Sequence, residues 1–215
     1  MNTFETEVLD KEYLTHDVIE LTLSRPSSFT FQPGQFLSLH IISGDTSRWK
    51  PYSIYSGVDE ETIRLCIKIV PKGFASAHFE QVEQGHTYEM RAPFGHFTLT
   101  DAPHHIFLST GTGIAPFGSM IASVSSCELY HGTRTQNDLI HREKWEALED
   151  DTFTYHPVLS REDWEGKEGY VQDNITIRKD AVYYICGLRE FVLDTVSYLK
   201  NQDIPEQHIK YERYS

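Results

Sequence analysis

HHIFLSTGTGIAPFGSM, residues 104–120, holds the transition on which the fold turns. An apolar run from His104 ends on the glycine-rich turn GTGIAP, Gly111 to Pro116, and an apolar segment resumes behind it. A short continuous apolar run bounded by glycine reads as a buried strand, and the segment beyond as a helix. Glycines in such a strand-to-helix turn let backbone amides approach an anion, while the helix amino end adds partial positive charge. Proline in the first helical turn gives up no needed hydrogen bond. The string is not GxGxxG and lacks the lysine of a P-loop, so a structural tight turn and an anion-binding turn both fit it.

Downstream, strand and helix alternate. CELYHGT from Cys127, FTYHPVLS from Phe153, AVYYICG from Ala181 and HIKYERY from His208 read as strands. Between them LIHREKWEALED, GYVQDNI and EFVLDTVSYLKNQ read as helices. That rhythm predicts a parallel sheet with helices on both faces. Upstream the period is two. VIELTLS from Val18, QFLSLHII from Gln35, KPYSIYS from Lys50, TIRLCIKIV from Thr62 and HTYEMRAP from His86 are strand candidates, punctuated by QPGQ, PKG and EQG. Short strands closed by such turns suggest an antiparallel β-barrel, with one helix near Ala75 to Val82. The expected organisation is two domains, a barrel over 1–100 and an α/β domain over 101–215, divided near DAP at Asp101.

Bulk properties narrow the function. The chain has 215 residues and a formal net charge of −13, without a basic face for phosphate neutralisation, so nucleic acid is not an expected partner. Cys66, Cys127 and Cys186 are widely spaced with no CxxC, which argues against a disulfide framework, zinc or an iron–sulfur cluster and for a reducing compartment. MNTFETEVLD does not read as a secretory signal, and no apolar run is long and unbroken enough for a membrane helix. A cytoplasmic location without membrane insertion is the expectation. No HExxH marks a metal site and no GxSxG a serine hydrolase; no metal is expected.

KPYSIYS gains meaning beside PKGFASAHF, residues 71–79. Gly73 permits close backbone approach, and Ala75 and Ser76 open the only helix of the first half, a second anion-receptive cluster. Lys50 supplies a cation, and Tyr52 a ring for a planar heterocycle, although a strand tyrosine also serves as core or rim. Two anion sites suit a diphosphate.

These residues resemble the ferredoxin–NADP reductase superfamily over essentially the whole chain. The family's flavin signature, Arg-x-Tyr-Ser, is similar to Lys50, Pro51, Tyr52 and Ser53, with Ile54 following; its second flavin motif resembles Gly73, Phe74, Ala75 and Ser76. Thr110, Gly111, Thr112, Gly113 and Pro116 resemble its nicotinamide-binding turn, and Cys186–Gly187 its cysteine–glycine strand end. FQPGQF, RAPFGHF and YHGTRTQNDLIHREKWEAL match further family segments. The resemblance implies that Tyr52 stacks on the flavin, Ser53 bonds near flavin N5, and Lys50 stands where the family has arginine. Lysine keeps the charge but loses the bidentate fork, which bears on FAD against FMN. It also implies a nicotinamide pocket at Cys186, a second ring from Tyr214 and a proton or partner route through Glu212, with Ser215 as one extra residue. Leu188 stands where many relatives have proline.

The implied activity is that of a flavoenzyme passing hydride from NADPH to FAD and single electrons onward to, or back from, a ferredoxin or flavodoxin. Ser53, Cys186 and Glu212 are its expected catalytic set. Arg134, Ser160, Arg161, Lys167 and Tyr170 are expected around the adenosine 2′-phosphate, which favours NADP over NAD, with NAD still possible. Docking of an acidic carrier would draw on Lys11, Lys50, Lys72 and Arg91. Two alternatives stay open: an NADH-dependent reductase serving an oxygenase or haem partner, and a non-catalytic flavin- or nucleotide-binding module.

Overall fold

A computed structural model describes residues 2–214. Its contacts divide the chain into two compact units: one runs through Thr98 and adds Ala115–Ser123, and the other takes Leu99–Ile114 and the chain from Val124 onward.

The first unit contains β1 (Asn2–Thr15), β2 (Val18–Ser24), β3 (Phe36–Ser43), β4 (Thr46–Ser53), β5 (Thr62–Lys68), α1 (Phe74–Gln81) and β6 (Thr87–Phe94). The strands form one antiparallel six-stranded half-barrel in the order β4-β3-β6-β1-β2-β5. β1 was not among the expected strands, because charged residues break its alternation and only Thr6, Val8 and Thr15 are buried in it. Its halves serve different neighbours: Asn2–Glu7 pairs with β6, and Val8–Thr15 with β2. Strand alternation sends one row of side chains inward, and Val8, Ile19, Leu21, Leu37, Leu39, Leu65 and Met90 build the core that Phe79 of α1 joins. β4 begins four residues before the expected KPYSIYS strand and stops at Ser53. Beyond it the backbone changes partners, with Ile54 N donating to Gln35 O and Tyr55 N to Arg64 O of β5.

In the second unit, β7 (His104–Thr110) leads into a 3₁₀ turn at Gly111–Ile114, which is followed by α2 (Ala115–Ile121). The expected helix after the glycines is thus divided, and α2 counts with the first unit, where Ser119 Oγ accepts from Gly34 N at 2.9 Å. The second unit continues through β8 (Cys127–Thr133), α3 (Arg142–Ala147), β9 (Phe153–Leu159), β10 (Lys167–Glu168), β11 (Ala181–Leu188), α4 (Arg189–Asn201) and β12 (Ile209–Tyr214). The sheet order is β10-β9-β8-β7-β11-β12, with every pair parallel. GYVQDNI, expected to be a helix, holds only a 3₁₀ turn at Val171–Asp173. Reversal of strand order around β7 and β11 creates the switch point at which open α/β sheets collect ligands, outside the strands' carboxyl ends.

Candidate functional site

In the first unit the site is built on β4 and α1. Alternation along β4 places Arg48, Lys50 and Tyr52 on one face. Tyr52 packs its ring edge-on against Phe79, with centroids 5.5 Å apart, and burial pushes its phenol up, so it stays neutral. Ser53 is buried at the strand end, opposite Phe36 of β3, and Ile54 is fully enclosed. Pro51 is exposed, and Lys50 is half-buried with no ion pair among the described residues.

The loop into α1 is shaped by Ser76, whose Oγ accepts from Val70 N at 2.8 Å, and by Gly73 N donating to Val70 O at 2.9 Å. No side chain caps the helix, which leaves the first-turn amides beyond Gly73, those of Phe74, Ala75 and Ser76, open to an anion. A Cβ on Gly73 would stand 2.9 Å from Ser76 Oγ and 3.0 Å from Val70 O, so this cradle admits only glycine without adjustment. Arg48 places its guanidinium carbon 4.9 Å from the ring centroid of Phe74, the first residue of α1. Arg48 beside the open amides, with Lys50 on the same face of β4, fits a diphosphate-bearing group. Arg48 was not anticipated; its signal was only the two-residue step from Lys50.

The expected docking cations fare differently. Lys11 is engaged, its Nζ donating to the carbonyls of Phe79, Glu80 and Val82 at the end of α1. Arg91 lies over Trp49, 3.8 Å from the ring centroid, while Lys72 is exposed.

The second unit gathers its site at the carboxyl ends of β7, β11 and β12. Gly111 adopts φ +51°, and the turn then passes so close to β11 that a Cβ on Gly113 would lie 2.2 Å from Cys186 O. Thr110 Oγ1 is buried with no hydrogen-bond partner, an unmet polar atom at the mouth of the turn. Gly187 faces it, since a Cβ there would meet Thr110 Oγ1 at 2.3 Å. Thr112 is half-buried, and Pro116 is buried in α2. Cys186 pairs across the sheet with Ser109 and Glu212, and Leu188 with Tyr214. Burial pushes the Cys186 thiol far up and the charge of Glu212 adds to it, while a hydrogen bond from Tyr214 works the other way. The thiol is therefore neutral, and burial also raises the Glu212 carboxyl. Thr110, the glycine turn, Cys186, Gly187, Glu212 and Tyr214 thus form one locus, fit for a second diphosphate-bearing ligand.

His131, fully buried on β8, donates from Nε2 to Gly111 O at 3.1 Å. A histidine in an apolar strand gave no sign of that contact.

Arg134, Ser160 and Arg161 come together where β8 and β9 end: Arg161 N donates to Arg134 O and Ser160 Oγ to Thr133 O. Lys167 of β10 pairs with Val158 near the end of β9 and its Nζ lies 6.0 Å from the Tyr130 ring centroid, and Tyr170 is 64% exposed. Beside them an open cleft of about 490 Å³ is lined by Gln136, Arg142, Asp163, Trp164, Glu165 and Gly166. Arg142 is held over Trp164 by Glu146 and Gln136, and Glu162 accepts from Gln136 N and Nε2. No motif or spacing in the sequence marks this Arg142–Trp164 pair.

Known protein families match the chain in two stretches, the second of which runs through α2. Residues 5–99 match the oxidoreductase FAD-binding domain and residues 107–197 the oxidoreductase NAD-binding domain. Ferredoxin–NADP reductase B of Sorangium cellulosum is 29% identical, over 98% of this chain and 97% of its own length. The anthranilate 1,2-dioxygenase electron transfer component of Acinetobacter baylyi is 28% identical over 86% of this chain, which spans 58% of that relative. The crystal structure of a ferredoxin NADP⁺ reductase from Neisseria gonorrhoeae with bound FAD and NADP superposes with a TM-score of 0.87 at 25% identity, covering 98% of both chains.

Proposed function

Since this chain belongs to the ferredoxin–NADP reductase-like oxidoreductases, flavoenzymes with an FAD-binding and an NAD-binding domain, we propose that it draws reducing equivalents from NADPH and exchanges single electrons with a ferredoxin or flavodoxin. The observation that carries this reading is the unmet Thr110 hydroxyl at the glycine turn, beside Cys186 and Gly187. We assign flavin binding to residues 1–100 and nucleotide binding to 101–215.

The bound cofactors supply the redox chemistry, and the chain supplies placement and electrostatics. Arg48, Lys50 and the open amides of α1 hold the flavin diphosphate; Tyr52 gives its ring a rigid wall and Ser53 a hydroxyl beside it. Thr110 and the turn amides hold the nicotinamide dinucleotide. Cys186, kept neutral, offers a soft wall without a competing nucleophile, and Tyr214 packs from the closing strand. Glu212, its affinity for a proton raised by burial, holds or passes that proton at its carboxyl oxygen. Arg134, Ser160 and Arg161 meet the 2′-phosphate.

The test is an absorption spectrum before and after anaerobic addition of NADPH, with NADH in parallel. A yellow protein that bleaches faster with NADPH is expected. A colourless protein that takes up no FAD refutes the proposal and favours a non-catalytic module.

A second reading, an NADH-dependent reductase serving an oxygenase, is favoured by the carboxylates Glu162, Asp163 and Glu165 beside the phosphate cations, since they oppose a 2′-phosphate. A kcat/KM that is higher for NADH selects it.

A further inference from the structure

We propose that His131 is a positioning residue for nucleotide binding: its Nε2–H fixes the Gly111 carbonyl and so sets which way the first peptide of the glycine turn points. This role rests on the functional reading above. His131 projects from β8 between Ser109 of β7 and Pro157 of β9 and is wholly enclosed. A carbonyl can only accept, so the contact to Gly111 O puts the proton on Nε2. The lone pair on Nδ1 then faces the Tyr155 hydroxyl, 3.5 Å away. Burial raises that phenol, so it keeps its proton and can only donate to the ring. The chain of donors runs one way, from Tyr155 through His131 to Gly111. Burial also keeps the imidazole neutral, lowering its pKa to about 4, with His141 adding to the effect.

The consequence follows from peptide geometry. In a trans peptide, C=O and N–H point in opposite directions, so holding the Gly111 carbonyl toward His131 turns the Thr112 N–H away from it. Gly111 sits at φ +51°, where glycine is free to change conformation. Without the histidine donor the Gly111 carbonyl keeps only its bond within the 3₁₀ turn, and the plane between Gly111 and Thr112 is free to tilt, which draws the Thr112 N–H off the line an anion needs.

His131→Leu removes the donor, and His131→Gln keeps an N–H at comparable reach. Titrations with NADP⁺ and NAD⁺ on the flavin-loaded protein, with melting temperatures and flavin content alongside, separate the cases. The leucine variant is expected to bind nucleotide roughly tenfold more weakly, about 1.4 kcal/mol, with KM raised more than kcat is lowered; glutamine restores binding to within about threefold. Wild-type affinity in the leucine variant, or equal losses in both variants, overturns the role. Wild-type protein that binds neither nucleotide refutes the functional reading and this role with it. Should the leucine variant not fold, nitrogen NMR of the His131 ring in wild-type protein decides: an Nε2–H tautomer is required, and an Nδ1–H tautomer overturns the proposal.

Discussion

Replacing Glu128 by glutamine should remove a pH-dependent part of the second unit's stability. Glu128 of β8 is a hub: Oε2 accepts from His156 Nε2 at 3.1 Å and from the Tyr130 hydroxyl at 2.9 Å, and Oε1 lies 3.3 Å from His104 Nε2. The Tyr130 and His156 rings pack with centroids 4.3 Å apart. The hydrogen bond from His156, ahead of those from Tyr130 and His104, holds the carboxyl down at about 2 from its ordinary 4.5. A lowered carboxylate stabilises the fold above its unfolded pKa, and the benefit disappears as pH falls through the folded one. That window runs from about 4.5 to about 2, and the shift, discounted for the solvent that reaches the carboxyl, corresponds to about 2–3 kcal/mol at neutral pH. Urea denaturation of wild type and Glu128→Gln at a series of pH values tests this. A gap of about 2–3 kcal/mol at pH 7 that closes as pH approaches 2 is expected, with nucleotide affinity unchanged because the hub lies toward the strands' amino ends. A gap that stays constant from pH 6 to 2.5 would refute the reasoning.

Arg48→Ala should weaken FAD binding roughly five- to tenfold by loss of a charge-assisted contact, and Arg48→Lys should not restore it, because the guanidinium also packs on Phe74; fluorescence titration reads both, and unchanged affinity removes Arg48 from the site. Gly113→Ala should destabilise by about 3 kcal/mol or more, since a Cβ 2.2 Å from backbone cannot be accommodated by a side-chain shift. The same change at Gly57, where the nearest atom would be 3.5 Å away, serves as a milder comparison in thermal melts. Ser53→Ala should slow flavin reduction by NADPH in stopped-flow traces, and a parental rate takes Ser53 out of the transfer locus.

What the sequence disclosed depended on the range of each signal. β2, β7 and β8 run over the residues expected of them because alternation, or an unbroken apolar run, is written into consecutive side chains. The glycine turn was legible for the same reason. β1 was hidden by its exposed charges, and α3 is only six residues long where LIHREKWEALED suggested twelve, because Leu139 and Ile140 are buried ahead of the left-handed His141. Arg48 beside Phe74 and His131 beside Gly111 are meetings across more than twenty and exactly twenty positions of chain, created by strand pairing and loop return. Periodicity cannot foresee which carbonyl a buried imidazole will reach. The unpartnered Thr110 oxygen is likewise a property of packing.

Lys11 carries a last implication. By covering three carbonyls at one end of α1, a single ammonium cancels the negative pole of an eight-residue helix and leaves the positive pole at Phe74 unopposed. The helix then acts less as a dipole than as an isolated source of positive potential. Acylating that one amine, remote in sequence from every cofactor motif, would restore the opposing pole and loosen the grip on an anion at the far end.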